Sequence, residues 1–298
     1  MSRGEGVTYQ HRDRESGLAL VSVLWALTLL SLIAAVILGM ARQSSYLEHY
    51  QAQQLVRRSA FDALLHRSIL GLLDKRPDQR WHTDAVPQSL KWQGFEAVVK
   101  VQDELGKIDL NSADDELIRG LFRSLNLSAA EADQMADRVL DWRSTTGLKR
   151  LNGSDESDYR VAGSPIRPRG APFQSIDEVR LVLGMSDDLY RQIVPAITVY
   201  SQKATIDPQV APREALLALP GFDSDKADRQ LAVRSQLITE GNAGSSQPSS
   251  ATIMTVPMTG RAYTIAMTLK ERDKLFTQTV VIRITDEQKG RYWILAIE

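Results

Sequence analysis

The chain has 298 residues, 43% of them hydrophobic and 24% charged, enough for one or two domains with their own cores. Its 36 Lys and Arg against 37 Asp and Glu leave a formal charge of −1, which argues against attachment to nucleic acid by a broad cationic field. With no cysteine, a disulfide framework, a thiolate metal site and a Cys nucleophile are excluded. Four histidines, His11, His49, His66 and His82, form no H-E-x-x-H pair, and neither G-x-S-x-G nor G-x-x-x-x-G-K-[ST] occurs. No nucleophile–base pair is readable, so the expectation is a protein that is not an enzyme.

From Leu18 to Met40, LALVSVLWALTLLSLIAAVILGM, 23 residues pass without a charge. As a helix this stretch reaches about 35 Å, enough to cross a bilayer core with some tilt. A signal peptide usually has a shorter apolar core followed by a small-x-small cleavage site, and a soluble helix this apolar needs burial on every face. Arg3, Arg12 and Arg14 precede the stretch and only Arg42 follows it closely, which favours a cytoplasmic N-terminus with the bulk of the chain on the other side. Beyond it, Phe61, Leu64, Leu65, Ile69, Leu72 and Leu73 repeat at spacings of one amphipathic face, and Pro77 marks a stop.

A polar leader ending in Gly17, an apolar span starting at Leu18 and an amphipathic extension resemble a type IV prepilin-like signal. The resemblance implies cleavage between Gly17 and Leu18 by a prepilin peptidase, with methylation of the new amine. Most pilin-like proteins carry Glu as the fifth mature residue, whereas this chain has Ser22. That carboxylate is thought to neutralise a neighbour's amine inside an apolar filament, where an unpaired charge is expensive. Ser22 therefore marks a subunit suited to the tip. The competing reading is a plain membrane anchor in which Ser22 carries no meaning.

Next, Trp92–Gln102 alternates with a period near two and reads as a strand. Asn111 or Ser112 is the expected cap of a helix through Leu117, Ile118 and Leu121, and Ser128 the cap of a second running to Trp142. Lys107-Ile108-Asp109 through Glu116 is echoed by Thr205-Ile206-Asp207 through Glu214. The second copy leads into Leu216–Arg234, which resembles a helix-hairpin-helix motif, and Ser175–Ser201 has the same plan around Gly184. DNA-binding versions of that motif place a second glycine where this chain has Asp223, and residues 103–158 hold 13 acidic against 7 basic side chains. Packing is therefore the expected use, and no nucleic acid is expected as a partner. Residues 144–173 read as a long loop in which Asp155, Glu156 and Asp158, with Asp141 from the helix end, are candidate oxygen ligands for calcium; a solvated acidic turn is the alternative.

Taken in order, the prepilin-like start, I-D-L-N-S-A (108–113), V-L-D-W-R (139–143), S-D-E-S-D-Y (154–159), P-A-I-T-V-Y-S (195–201) and L-L-A-L-P-G (216–221) resemble the minor pseudopilin K family of type II protein secretion systems, over about residues 12–235. The resemblance implies a pseudopilus component of the inner membrane and periplasm, partnered by I-type and J-type minor pseudopilins through helix packing. Family members bind calcium in the helical domain, yet Ser144, Thr145 and Thr146 stand where an acidic pair would follow D-W-R.

Glu240–Ser250 reads as a Gly/Ser linker, and Ala262–Leu269, Phe276–Thr285 and Arg291–Ile297 as an antiparallel meander. The expected fold is α+β. A leader (1–17) and transmembrane helix (18–40) precede a pilin-like α+β domain (41–103 and 251–298), interrupted by a helical insertion (104–235) and a linker (236–250). The expected function is a minor pseudopilin at the tip of a periplasmic pseudopilus; a membrane-anchored DNA receptor of a competence system is the alternative.

Overall fold

The computed structural model describes residues 13–76, 79–92, 95–242, 258–271, 273–286 and 291–298, with side chains undescribed at 13–19, 39, 41–49, 92 and 236–242. It separates into two units, Met1–Ala60 and Phe61–Glu298. A single helix, α1 (Asp13–Leu72), supplies the described part of the first. Within it Leu20–Leu38 has a mean hydropathy of 2.6, and none of this stretch is buried. A helix at ~1.5 Å per residue makes those 19 residues about 28 Å long, close to a bilayer core.

The second unit begins with the last turns of α1, where Phe61, Leu64, Leu65, Ile69 and Leu72 are buried while Asp62, His66 and Leu70 face outward. These positions recur at three- and four-residue spacing, which fixes the buried stripe. His66 meets Tyr292 edge to face, with ring centroids 6.3 Å apart.

Five antiparallel strands form the sheet in the order β1 (Gln88–Trp92), β2 (Phe95–Asp103), β5 (Ala262–Glu271), β6 (Lys274–Ile284) and β7 (Tyr292–Ile297). Register pairs Ala97 with Leu269, Val99 with Met267 and Val101 with Ile265, so one buried row runs across the central strands. The period-two pattern at 92–102 marks β2, but β1 before it was not expected: in QSLKW only Leu90 and Trp92 are large and apolar.

Two short strands stand outside this sheet. β3 (Ile108–Asp109) and β4 (Ile197–Thr198) form a short parallel pair within the segment that joins β2 to β5. That segment carries α2 (Asp115–Arg123), α3 (Ala129–Arg143), α4 (Glu156–Val161), α5 (Asp187–Ile193), α6 (Arg213–Leu217) and α7 (Ser224–Asn242). Its core is a cluster of its own, with Ile118, Leu121, Phe122, Val139, Leu140, Ile193, Ile197 and Leu216 almost fully buried. The fold is therefore α+β, with helices segregated from an antiparallel sheet.

Ser128 caps α3 as expected and shares a reciprocal capping box with Glu131. Helix α2 instead starts at Asp115 with Asp114 as N-cap, two to three residues beyond the expected caps, because Asn111 and Ser112 are held in a turn by Asp109. A glycine inside α2 costs helix stability, and its reason is proximity: a Cβ at Gly120 would run into the Ala218 carbonyl. The expected linker (236–250) overlaps the last helix of the segment. Helix α7 continues to Asn242 through residues 236–242, and residues 243–250 lie outside those described.

Where the chain leaves the sheet, Asp103 is 1% exposed, accepts a hydrogen bond from the Leu105 amide (2.9 Å) and lies 3.2 Å from Arg261. Burial raises its pKa from 3.8 to about 6, with Glu104 and Asp207 adding to the rise and Arg261 opposing it. A raised carboxylate pKa means that the folded state holds a proton the unfolded chain has released. Stability should therefore fall as pH rises from about 4 to about 6, by about 3 kcal/mol from this group, and be flat in this term above that. Comparing wild type with Asp103→Asn in urea unfolding across that range checks this: the difference in stability should change through the window and stay constant outside it.

Candidate functional site

The sequence motifs of the helical segment converge on one network of cross-links. Asp109 is 1% exposed, and its Oδ1 accepts from the amides of Asn111 (2.9 Å) and Ser112 (3.0 Å). Its Oδ2 accepts from Ser201 Oγ (3.2 Å) and the Gln202 amide (2.7 Å). Asn111 then clamps the backbone of Phe173 on both sides, donating to its carbonyl (2.9 Å) and accepting from its amide (2.6 Å). I-D-L-N thus binds the far end of the long loop to the start of the segment. The echoing copy repeats the local part of this device: Asp207 Oδ1 accepts from the Gln209 amide at 2.9 Å.

In V-L-D-W-R each polar group reaches a different neighbour. Arg143 donates to the carbonyls of Leu110 (2.9 Å) and Ala113 (2.7 Å). The Trp142 ring lies 6.1 Å from that of Phe173 at an interplanar angle of 18°, and its Nε1 donates to Glu178 Oε1 (3.0 Å). Burial works against the charge on Glu178, but the Gln174 amide, the Trp142 indole and Arg169 outweigh it and lower its pKa. Arg138 spans Ser154 Oγ (3.0 Å) and the Leu183 carbonyl (2.9 Å), and the Leu183 amide donates to Tyr159 Oη at 2.8 Å.

The four candidate calcium ligands have their own partners. Both oxygens of Asp141 accept from the Arg150 amide, and its Oδ1 also accepts from Arg150 Nη1 (3.1 Å). Asp155 and Asp158 cap α4 reciprocally, and Asp158 Oδ2 takes Lys149 Nζ at 2.6 Å. The hydrogen bond from Ser157 leads the effects that hold the Asp155 pKa low, and the one to Asp158 leads those that raise that of Lys149. Glu156 is exposed and lies 3.5 Å from Arg160. Asp141, Asp155 and Glu156 do share the lining of an open cavity of about 290 Å³, but Lys149 lines it too. Among the described residues no three His, Asp or Glu side chains converge as metal ligands. Calcium needs six to eight oxygens at 2.3–2.6 Å, and this donor set does not fit it.

Sequence reasoning took Asn111 for a helix cap and passed over Lys149 and Arg150. The signal for the latter was present: two adjacent cations between D-W-R and S-D-E, inside the acidic stretch. The processing residues Gly17 and Leu18 fall within α1, but their side chains lie outside those described, as does all of the leader before Asp13. Ser22 lies on the exposed apolar stretch. At the hairpin before α7, Asp223 Oδ1 accepts from the Lys226 amide (2.7 Å) and Lys226 Nζ donates to the Gly221 carbonyl (2.6 Å). A carboxylate thus occupies the helix start that a phosphate would need.

Comparison with known proteins places these motifs. Residues 97–202 match the family described as type II secretion system (T2SS), protein K. Three curated proteins named type II secretion system protein K are similar. That of Pectobacterium carotovorum is 24% identical over 208 residues, covering 62% of this chain and 63% of that protein. That of Pseudomonas aeruginosa is 22% identical over 249 residues, covering 75% and 73%. That of Aeromonas hydrophila is 28% identical over 146 residues, covering 47% and 44%. The chain thus spans less than two thirds of the length of the first and third. Its fold is similar to one chain in the crystal structure of the GspK-GspI-GspJ complex from the enterotoxigenic Escherichia coli type 2 secretion system, with a TM-score of 0.55 at 17% identity, covering 86% of this chain and 98% of that one.

The Asn111 clamp is testable. Asn111→Ala leaves the Phe173 amide and carbonyl without their partner beneath the long loop and should lower stability by about 1–3 kcal/mol. Urea unfolding measures the loss, and faster hydrogen exchange at the Phe173 amide localises it; unchanged exchange there would show that the clamp does not hold the loop.

Proposed function

We propose that this chain is a member of the protein K family of type II secretion systems, whose family model matches residues 97–202, and that it caps the tip of a periplasmic pseudopilus as a minor pseudopilin. Ser22 carries this reading. It stands within an apolar helix of which Leu20–Leu38 is wholly unburied, at the fifth position counted from the expected mature end. Helices of this kind pack sideways in a filament, where a free amine without a carboxylate partner is costly. A subunit lacking that carboxylate has nothing to offer a neighbour stacked above it. The large helical segment between β2 and β5 adds bulk that a repeating shaft subunit does not need.

On this reading the prepilin peptidase cuts between Gly17 and Leu18. The apolar helix first serves as a single-pass inner-membrane anchor, N-terminus in the cytoplasm and bulk in the periplasm. I-type and J-type minor pseudopilins are the partners, in keeping with the complex to which the fold is similar. The role is assembly and initiation, and the cross-links of the helical segment serve rigidity.

Mass spectrometry of the protein recovered from its membrane should find a methylated Leu18 at the N-terminus, and immunogold labelling of fibres should mark one end. Cleavage beyond Met40 would remove the premise, and label spaced regularly along the shaft would contradict the capping role.

A further inference from the structure

The poor fit to calcium has a positive counterpart in the same loop. We infer that residues 144–155 are braced by the chain's own cations in the place where the resemblance calls for a metal ion, so that the helical segment holds its structure without calcium. Arg150 carries the brace. Its guanidinium lies between two acids from different helices, Asp141 of α3 (Nη1 to Oδ1, 3.1 Å) and Asp115 of α2 (Nη2 to Oδ2, 3.2 Å). The Asp141 side chain is 5% exposed and that of Arg150 30%, so this contact is sheltered from the screening that weakens surface pairs. One loop residue thus ties the start of α2 to the end of α3, as a divalent ion would.

Lys149 performs the matching task on the other side, where its ammonium joins the loop to Asp158 of α4 at 2.6 Å. The two adjacent cations therefore draw three helices onto one strand of loop. Close packing secures the path: a Cβ at Gly153 would collide with the Asp141 carboxylate and push it from its place beside Arg150. The hydroxyls of Ser144 and Thr146 meet at 2.9 Å, closing the turn with neutral groups where an acidic pair would be expected.

Charge decides between metal and brace. Residues 141–158 contain four acids, Asp141, Asp155, Glu156 and Asp158, against three bases, Arg143, Lys149 and Arg150, a net of −1. A divalent ion entering the cavity would meet Lys149 in its lining and would have to displace Arg150 from Asp141. Neither cation can lose its proton at physiological pH to make way, since both are held on carboxylates.

The test uses the full chain in detergent micelles and calcium alone as the probe. Equilibrium dialysis should show no saturable calcium uptake up to millimolar concentration. The thermal unfolding midpoint should be the same in EDTA as in calcium. Arg150→Gln should lower that midpoint by about 2–4 °C and open the loop to cleavage beside Leu148 and Leu151 by a protease specific for apolar residues. Stoichiometric calcium uptake by the wild-type chain, or a midpoint lowered by EDTA, overturns the inference without needing any variant to fold. An Arg150→Gln midpoint and cleavage pattern equal to wild type would show that Arg150 is no brace. None of these outcomes bears on where the protein sits in a fibre, so the capping role stands or falls separately.

Discussion

The helical segment depends on one buried carboxylate. Asp109 draws together residues 92 and 93 positions apart in sequence, and all of its hydrogen-bond capacity is spent on the chain's own amides and a hydroxyl. A carboxylate so far from water is tolerable only when its lone pairs are met in this way. The consequence is geometric. The β3–β4 pair joins only two residues on each side, too few to hold two distant segments in parallel. Asp109 extends that contact into a turn on one strand and captures the loop after the other. Gln202, on the captured side, adopts a left-handed conformation (φ 56°) that a non-glycine residue accepts only where its surroundings demand it. Its amide is held by Asp109, and its side chain and the Tyr200 carbonyl are both held by Arg283 of β6. The same short turn therefore links the insert's core to the sheet.

How much of this was legible in the sequence depends on the range of the interaction. Period-two alternation marked β2, strand-like runs between turns marked the three C-terminal strands, and three–four spacing marked the buried stripe of α1, because those signals are local. Ser128 announced the cap of α3 for the same reason, and the structure adds Glu131 to it as a capping box. Strand β1 escaped because its few apolar side chains leave too short an alternation to register, and pairing with β2 supplies the rest. Residues 236–242 read as linker from the Gly and Ser that follow them, whereas the chain simply prolongs a helix already under way. The roles of Asp109 and Asn111 could not be read locally at all. Each residue type suits a helix cap, and only the approach of residues 173, 201 and 202 diverts them to another task.

The acidic stretch shows the same limit from the side of charge. Counting acids singled out Asp141, Asp155, Glu156 and Asp158, and a donor list of that composition matches a hard cation. Composition does not say which charges face each other. Once folded, Arg150 lies on Asp141 and Lys149 on Asp158, while Asp155 turns its oxygen to the amides of its own helix. An internal cation delivered by the chain carries no binding equilibrium, so a loop fixed in this way needs no supply of a free divalent ion.

The paired helices before and after this loop follow the same economy of polar groups. In a phosphate-binding hairpin the turn must leave backbone amides open to the ligand and keep acids away from them. Here the turn at Gly221 gives its carbonyl to Lys226 and the helix start gives its Lys226 amide to Asp223. On the inner side, Gly120 lets α2 approach the Ala218 carbonyl so closely that no side chain fits between them. The Lys226 amide, the Gly221 carbonyl and the space over Gly120 are thus used within the chain, in keeping with a hairpin that packs against its neighbours.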